Sequence, residues 1–140
     1  MPNGYNILSI NEHQIDQLKF GQIVQLLDEC FPDTFNGRPY FKQLPHFRYL
    51  VFQHETLIGH MGIDHRVVKV GGKALRIFGI IDLCIKRDHR HAGIAGRLLH
   101  SVETLAMSSN VDFLVSQSVA TWHTPSASML PIISRPRSIF

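Results

Sequence analysis

The first third of the chain passes from a strand-like to a helix-like spacing of apolar residues. Residues 5–10 form a short apolar segment that predicts a first strand, and Asn11 follows as a candidate helix cap. Apolar side chains then recur at roughly helical spacing over residues 12–30, which predicts an amphipathic helix ending before Pro32. The apolar positions of this helix are Ile15, Leu18, Ile23, Leu26, Leu27 and Cys30.

A turn-rich, aromatic segment at residues 31–46 separates this helix from a group of strands. Its composition favours an irregular path and is also compatible with a short second helix. The strand candidates that follow are residues 47–53, 57–70 and 73–85. Gly71-Gly72, between the last two candidates, is a strong hairpin signal. The three strands are therefore expected to form an antiparallel meander.

The second half of the chain predicts a strand–helix–strand unit. After a polar run, apolar residues share one face of a helix over residues 93–108, and residues 111–116 form a final short strand. A crossover helix joins strands that run in the same direction, so this strand should lie parallel to the strand at residues 73–85. The predicted fold class is α/β (α+β), with a mixed sheet.

The C-terminal segment has a different character. Residues 119–140 contain three of the seven prolines and none of the eleven acidic residues, and no periodicity persists there. This pattern predicts a folded domain over residues 1–118 followed by an irregular tail over residues 119–140.

Composition narrows the class of protein. With 140 residues, 44% of them hydrophobic, the chain suits one packed domain. No apolar run reaches the roughly 18 residues that a membrane span needs, and the N-terminus lacks a signal-peptide pattern, so we expect a cytoplasmic protein without a membrane partner. Cys30 and Cys84 form no metal spacing with histidine, which favours two reduced thiols and no metal. The net charge of +3 fits an anionic ligand without requiring nucleic acid.

The segment after residue 85 has the chemistry of an anion site. A basic loop leads into a helix that begins with the small residues Gly93, Ala95 and Gly96. The first turn of a helix presents unpaired N–H groups and a positive dipole, and small side chains let a phosphate approach the backbone.

The spacing in this loop resembles a family signature. Arg90-His91-Ala92-Gly93-Ile94-Ala95 fits the pattern Q/R-x-x-G-x-G/A of the Gcn5-related N-acetyltransferases. The preceding Ile80-Ile81-Asp82-Leu83-Cys84-Ile85 is similar to the IEDLAV strand common in that family, and Gly96-Arg97-Leu98-Leu99 opens an apolar helix as the family does. The resemblance covers residues 5–118. It implies a GNAT-like mixed sheet: an antiparallel meander followed by a βαβ acyl-CoA-binding unit.

The resemblance also implies a reaction. The pyrophosphate of acetyl-CoA, the co-substrate, should rest on backbone N–H groups between Arg90 and Gly96. The pantetheine arm should pair with the backbone at Leu83, Cys84 and Ile85. An amine of a small molecule or a protein would then attack the thioester directly. The side chains of the basic cluster either contact phosphate or form a solvated loop; they are Lys86, Arg87, Arg90, His91 and Arg97.

Direct attack calls for a general base. Asp82 is the first catalytic candidate because it interrupts an apolar strand beside the expected thioester site; the alternative is a structural aspartate accepting backbone hydrogen bonds. His60 is the second candidate and His65 a further rival, although a strand histidine is more often a satisfied core residue. Cys84 is compatible with an acyl carrier or proton donor and, more simply, with a packed thiol.

The chain departs from the family after residue 118. Members usually continue with a helix, often carrying a tyrosine that protonates the leaving thiolate, and with two more strands, whereas no tyrosine follows Tyr49 here. This departure suggests a truncated or divergent end and leaves open a non-catalytic acyl-CoA-binding remnant. Without the closing strands, residues 111–116 would be an open edge, which predicts a homodimer. A small RNA-binding module is the alternative from another class, but the aromatics at 47–52 lack an RNP-like motif.

Overall fold

The structure is a computed structural model that describes residues 4–116 and, by backbone only, residues 130–133. One six-stranded sheet, in the order β1-β2-β3-β4-β5-β6, carries two α-helices. The strands are β1 (Tyr5–Asn11), β2 (Phe47–Gln53), β3 (Thr56–Val70), β4 (Lys73–Ile85), β5 (Phe113–Ser116) and β6 (Leu130–Ile133). The helices are α1 (Gln17–Cys30) and α2 (Ile94–Met107), with 3-10 turns at Glu12–Gln14 and Arg87–His89.

The predicted antiparallel meander is confirmed. β1 pairs with β2, β2 with β3 and β3 with β4, all antiparallel. The β3–β4 hairpin turns at Gly71 and Gly72, whose φ angles of 57° and 83° lie in the left-handed region that glycine reaches at little cost. The segment 31–46 contains turns and bends but no helix, so the irregular path is the one adopted.

The parallel β4–α2–β5 unit is confirmed as well. β5 runs parallel to β4, with pairs from Ile77–Phe113 to Ile80–Ser116. Within the described residues this pairing stops at Ile80, while β4 continues to Ile85. Residues 81–85 of β4 therefore have no β5 partner in the described part of the chain. Their backbone N–H and C=O groups on that side lie outside the β4–β5 pairing.

The sheet separates two apolar cores. Alternate residues of β2 point to opposite faces: Tyr49 and Val51 belong to the core under α2, and Leu50 to the core under α1. Helix α2 contributes Ile94, Leu98, Val102 and Ala106. Helix α1 and the segment after it contribute Ile23, Leu26, Leu27 and Phe35.

The start of the first helix differs from the prediction. Asn11 precedes a 3-10 turn without a side-chain cap, and α1 begins only after Asp16, whose carboxylate accepts a 2.8 Å hydrogen bond from the N–H of Lys19. Leu18, counted among the core positions, is 72% exposed. Leu18 and Ile23 belong to the same helix, and at about 100° per residue Leu18 lies roughly 140° around α1 from Ile23, so it points away from the sheet.

The expected open edge at β5 is contradicted. β6 pairs antiparallel with β5, from Ser116–Leu130 to Leu114–Ile133. Four residues of the predicted irregular tail are therefore a strand, and the edge argument for a homodimer no longer holds; oligomeric state stays a prediction. The rest of the predicted tail lies outside the described residues. In the described part of the chain no helix is long and apolar enough to cross a membrane.

Candidate active site

A β-bulge interrupts β4 at Asp82. His60 pairs with Cys84 and Gly62 with Ile81, so two residues of β4 oppose Met61 alone. Asp82 takes a φ of 53°, a left-handed conformation that aspartate tolerates better than most residues. A bulge bends its strand and redirects side chains. The sequence singled out Asp82 as a candidate base but did not predict the bulge. A polar residue inside an apolar strand was the available signal for it.

The carboxyl group of Asp82 is buried and incompletely satisfied. The residue is 5% exposed, and among the described residues its Oδ1 has no hydrogen-bond partner. Burial raises the pKa of Asp82 to about 6; the Arg48 cation opposes that rise and the negative charge of Asp64 adds to it. Such a carboxyl is deprotonated at neutral pH while remaining able to accept a proton.

Asp64 is a second buried carboxyl, on β3, that sequence analysis missed. Its Oδ2 accepts hydrogen bonds from Gln43 (3.3 Å) and Arg66 (3.2 Å). Its Oδ1 has no hydrogen-bond partner in the described part of the chain and lies 3.9 Å from Nδ1 of His46. Burial raises its pKa, against the opposing charges of Arg66 and His46. An aspartate inside the long apolar run of β3 was the signal.

His60 lies in a buried polar chain. Its Nδ1 is 2.9 Å from the carbonyl oxygen of Asp82, and its Nε2 is 3.0 Å from Nη1 of Arg48. A carbonyl only accepts and a guanidinium only donates, so His60 carries its proton on Nδ1 and its Nε2 lone pair is occupied. Burial, together with the Arg48 charge, lowers the pKa of His60 to about 3. His65 is elsewhere: its ring contacts Phe78, on the face covered by α2.

Arg48, which was not singled out in the sequence, connects Glu12 to His60 in this series of polar side chains. It is 1% exposed and donates from Nε and Nη2 to the two carboxylate oxygens of Glu12, at 2.6 and 3.1 Å. A charged residue near the start of the largely apolar β2 was a signal, but its partner Glu12 lies 36 positions away.

The predicted anion site, which we name the anion cradle, lies where the loop after β4 enters α2. His91 and Gly93 have φ angles of 71° and 76°, and Gly93 is the N-cap of α2. The first helical hydrogen bond there runs from Arg97 N to Gly93 O at 3.2 Å, so the N–H groups of residues 94–96 have no partner within the helix. At Gly93 and Gly96, an added Cβ would meet no described atom within 4 Å, apart from the neighbouring residues and the backbone of the helix itself. No side chain therefore covers the start of α2 at these two positions.

The side chains around the cradle have different roles. Arg90 folds back and donates from Nε to the Ile85 carbonyl oxygen at 2.9 Å. Arg87, His91, Ala92 and Arg97 are exposed, and Ala95 is half-buried.

The last residues of β4 face the protein with their side chains. Cys84 and Ile85 are buried and Leu83 is half-buried. The Cys84 thiol lies against Cys30, and both cysteines are free. The hydrogen bond from Cys84 lowers the pKa of Cys30 to about 7, and the same contact with burial raises the pKa of Cys84. This packing favours Cys84 as a core thiol, with its backbone available at the strand surface.

No three metal-ligating side chains cluster anywhere in the described part of the chain. The residues present are compatible with the acyl-CoA that the family resemblance implies, because Gly93 and Gly96 place no side chain at the first turn of α2, where the helix leaves N–H groups without intrahelical partners.

Comparison with known proteins finds solved structures with a similar fold. An aminoglycoside acetyltransferase from an uncultured soil metagenomic sample superposes with a TM-score of 0.64 at 15% identity, covering 81% of this chain and 78% of that one. Ribosomal-protein-alanine N-acetyltransferase from Brucella melitensis biovar Abortus 2308 gives 0.61 at 19% identity, over 81% and 80%. Another soil metagenomic aminoglycoside acetyltransferase, solved with sisomicin, gives 0.60 at 15% identity, over 99% and 98%.

At these identities the solved structures establish the fold alone. No curated protein matches the chain. A family model described as an acetyltransferase (GNAT) domain matches residues 13–120 of the 140. The chain therefore belongs to the GNAT acetyltransferase family.

Proposed function

We propose that this protein is an N-acetyltransferase that moves the acetyl group of acetyl-CoA to an amine of a small molecule or a protein. The observation that carries the proposal is the arrangement along β4. A buried carboxyl at Asp82 lies on a bulge, three residues before the strand end at Ile85, and the strand leads directly into the anion cradle at Gly93.

Binding follows from the backbone. The free N–H groups of residues 94–96 and the α2 dipole hold the pyrophosphate. The β4 backbone beyond Ile80, which lacks a β5 partner in the described residues, pairs with the amide groups of the pantetheine arm. Arg90 ties these two binding elements together through its hydrogen bond to Ile85.

Asp82 is the proposed general base. With a pKa of about 6 it is mainly a carboxylate at pH 7 to 8, and its Oδ1 is available to take a proton from the acceptor ammonium. His60 is unsuited to this role because Arg48 occupies its only free lone pair. The neutral amine then attacks the thioester carbonyl carbon, the carbon–sulfur bond breaks, and coenzyme A leaves as a thiolate that takes up the proton which the acetylated nitrogen loses.

The acceptor belongs to the class of amines that are cationic in water. Two buried carboxyls, Asp64 and Asp82, interact electrostatically with each other, and they attract an ammonium group better than a neutral alcohol. The structural neighbours include enzymes described as acting on aminoglycosides and on a ribosomal protein. Both a small polyamine and a protein N-terminus therefore belong in the test.

The test separates binding from turnover. Acetyl-CoA at 100 times its dissociation constant should stabilise the fold by about 2.7 kcal/mol in thermal or denaturant unfolding. Gly93→Glu should weaken binding about 100-fold or more, because its carboxylate occupies the phosphate position and like charges repel at several kcal/mol.

Gly71→Glu is the matched control. It adds the same charge at another exposed glycine with positive φ and open space, at the β3–β4 hairpin tip, and should leave acetyl-CoA affinity unchanged. Equal affinity of Gly93→Glu and wild type would refute the cradle. Acetyl-CoA binding without thiol release, across diamines, aminoglycosides and peptide N-termini, would refute the transferase and leave an acyl-CoA-binding remnant.

A further inference from the structure

A series of hydrogen-bonded polar side chains, the positioning chain, runs across neighbouring strands of the sheet and ends at the Asp82 bulge. It starts at Glu12, just after β1, and continues through Arg48 on β2 and His60 on β3 to the carbonyl oxygen of Asp82 on β4. Its successive distances are 2.6, 3.0 and 2.9 Å. We propose that Glu12, Arg48 and His60 are positioning residues: together they hold the Asp82 bulge in its left-handed conformation and set the charge beside its carboxyl.

The backbone at Asp82 needs such support. A bulge leaves its extra residue outside the regular ladder, so its carbonyl requires another donor. The Nδ1–H of His60 supplies that donor at 2.9 Å. A non-glycine residue at positive φ is strained and persists only where its surroundings determine it. His60 therefore fixes where the Asp82 side chain leaves the strand.

Arg48 and Glu12 determine the state of His60. A buried guanidinium is tolerated when it is paired, and Glu12 pairs it through two parallel hydrogen bonds. The remaining Nη1 donates to Nε2 of His60, which forces the proton of the imidazole onto Nδ1. Arg48 on β2, two strands away from Asp82 on β4, thus determines how His60 holds the Asp82 backbone.

The same chain places charge near Asp82. The charged and titratable groups that act on it or contact it are Arg48 on β2, His60 and Asp64 on β3 and Cys84 on β4 itself. Arg48 is the one cation among them in the described residues, and it favours the carboxylate. Glu12 partly neutralises that cation, so the two ends of the ion pair act on Asp82 in opposite directions.

The decisive measurement is the pKa of the Asp82 carboxyl, followed by carbon-13 NMR of the ligand-free protein. Arg48→Gln should raise this pKa because the favourable cation is removed, whereas Glu12→Gln should lower it because the cation is no longer neutralised. Opposite shifts separate this mechanism from general loosening, which would move both variants the same way. Glu55→Gln, an exposed carboxylate in the β2–β3 turn, is the control and should leave the pKa unchanged.

The backbone part is tested with His60→Leu. Amide hydrogen exchange at Leu83 should accelerate by about tenfold or more as the bulge loosens. The inference rests on the proposed function only for its catalytic consequence: kcat should fall about tenfold while acetyl-CoA affinity stays the same. Unchanged exchange at Leu83, or equal Asp82 pKa values in Arg48→Gln, Glu12→Gln and wild type, would overturn it. If His60→Leu does not fold, the Asp82 pKa values of Glu12→Gln and Arg48→Gln still test the proposal. The expected pKa and exchange changes in a protein without turnover would uphold the positioning chain and reject the transferase instead.

Discussion

Arg90 donates from Nε to the carbonyl oxygen of Ile85 at 2.9 Å, so the first residue of the anion cradle is anchored to the last residue of β4. The same carbonyl lies 3.8 Å from the Sγ atom of Cys30 on α1. The place where the strand gives way to the cradle is thus held by a side chain from the loop and one from the opposite helix. Since a glutamine amide also donates, this contact explains why either arginine or glutamine suits the first position of the motif.

The anchor can be tested by comparing two replacements of Arg90. Arg90→Gln keeps a donor for Ile85 and should retain acetyl-CoA affinity within about threefold, whereas Arg90→Leu loses the hydrogen bond and should bind about tenfold more weakly, since a hydrogen bond contributes about 1 kcal/mol. Isothermal titration of both variants measures this. Equal weakening of both would mean that the arginine charge, rather than the anchor, is what matters.

Two glycines of the sheet centre should respond differently to alanine. A Cβ on Gly62 would stand 2.9 Å from Cγ1 of Ile81, whereas a Cβ on Gly79 would meet nothing nearer than the Cβ of Asp64 at 3.7 Å. Gly62→Ala should therefore destabilise the fold by about 1–3 kcal/mol through overpacking, and Gly79→Ala should change it by less than about 1 kcal/mol. Urea unfolding of the two variants compares them directly, and a larger loss in Gly79→Ala would contradict the packing.

The carboxylate form of Asp82 is expected to lower the stability of the folded state at neutral pH. Burial raises its pKa from 3.8 to about 6, so the folded state binds this proton more tightly than the unfolded state. Its stabilising contribution is full below pH 3.8 and is lost as the pH rises through 6. Asp82→Asn keeps the shape and the left-handed backbone without the charge. Relative to wild type it should gain up to about 3 kcal/mol between pH 4 and pH 7. A stability difference that does not vary with pH would show that the carboxyl has an ordinary pKa.

The same variant should lose activity without losing acetyl-CoA. Asp82→Asn cannot accept a proton, so kcat/KM for the amine should fall by about 100-fold or more, the usual range for a general base. The limb of the wild-type pH–rate profile near pH 6 should disappear, while the dissociation constant of acetyl-CoA stays the same. Steady-state rates from pH 5 to pH 9 would reveal this. Equal rates for Asp82→Asn and wild type across that range would remove Asp82 from the reaction.

Local patterns predicted most of the architecture. The bounds of β2 and β4 equal the strands predicted over residues 47–53 and 73–85, α2 lies within the predicted helix, and the hairpin turns at Gly71-Gly72. Each of these depends on neighbours a few positions apart, where side-chain periodicity and glycine conformation act directly. The anion cradle could be proposed from the sequence for the same reason, since it consists of consecutive residues, and its ligand stays a prediction.

Tertiary structure decided the features that join distant parts of the chain. The pair of Glu12 and Arg48 is 36 positions apart, and His60 reaches the Asp82 carbonyl across 22. β6 pairs with β5 although residues 119–140 show no strand periodicity in the sequence. The sequence alone determined which residues could form strands, helices and an anion site. Only the packed sheet determined that one apolar-strand aspartate lies on a bulge, beside a fixed cation and a histidine without a free lone pair. The reason is that burial, pairing register and charge proximity are properties of the assembled strands and not of any one of them.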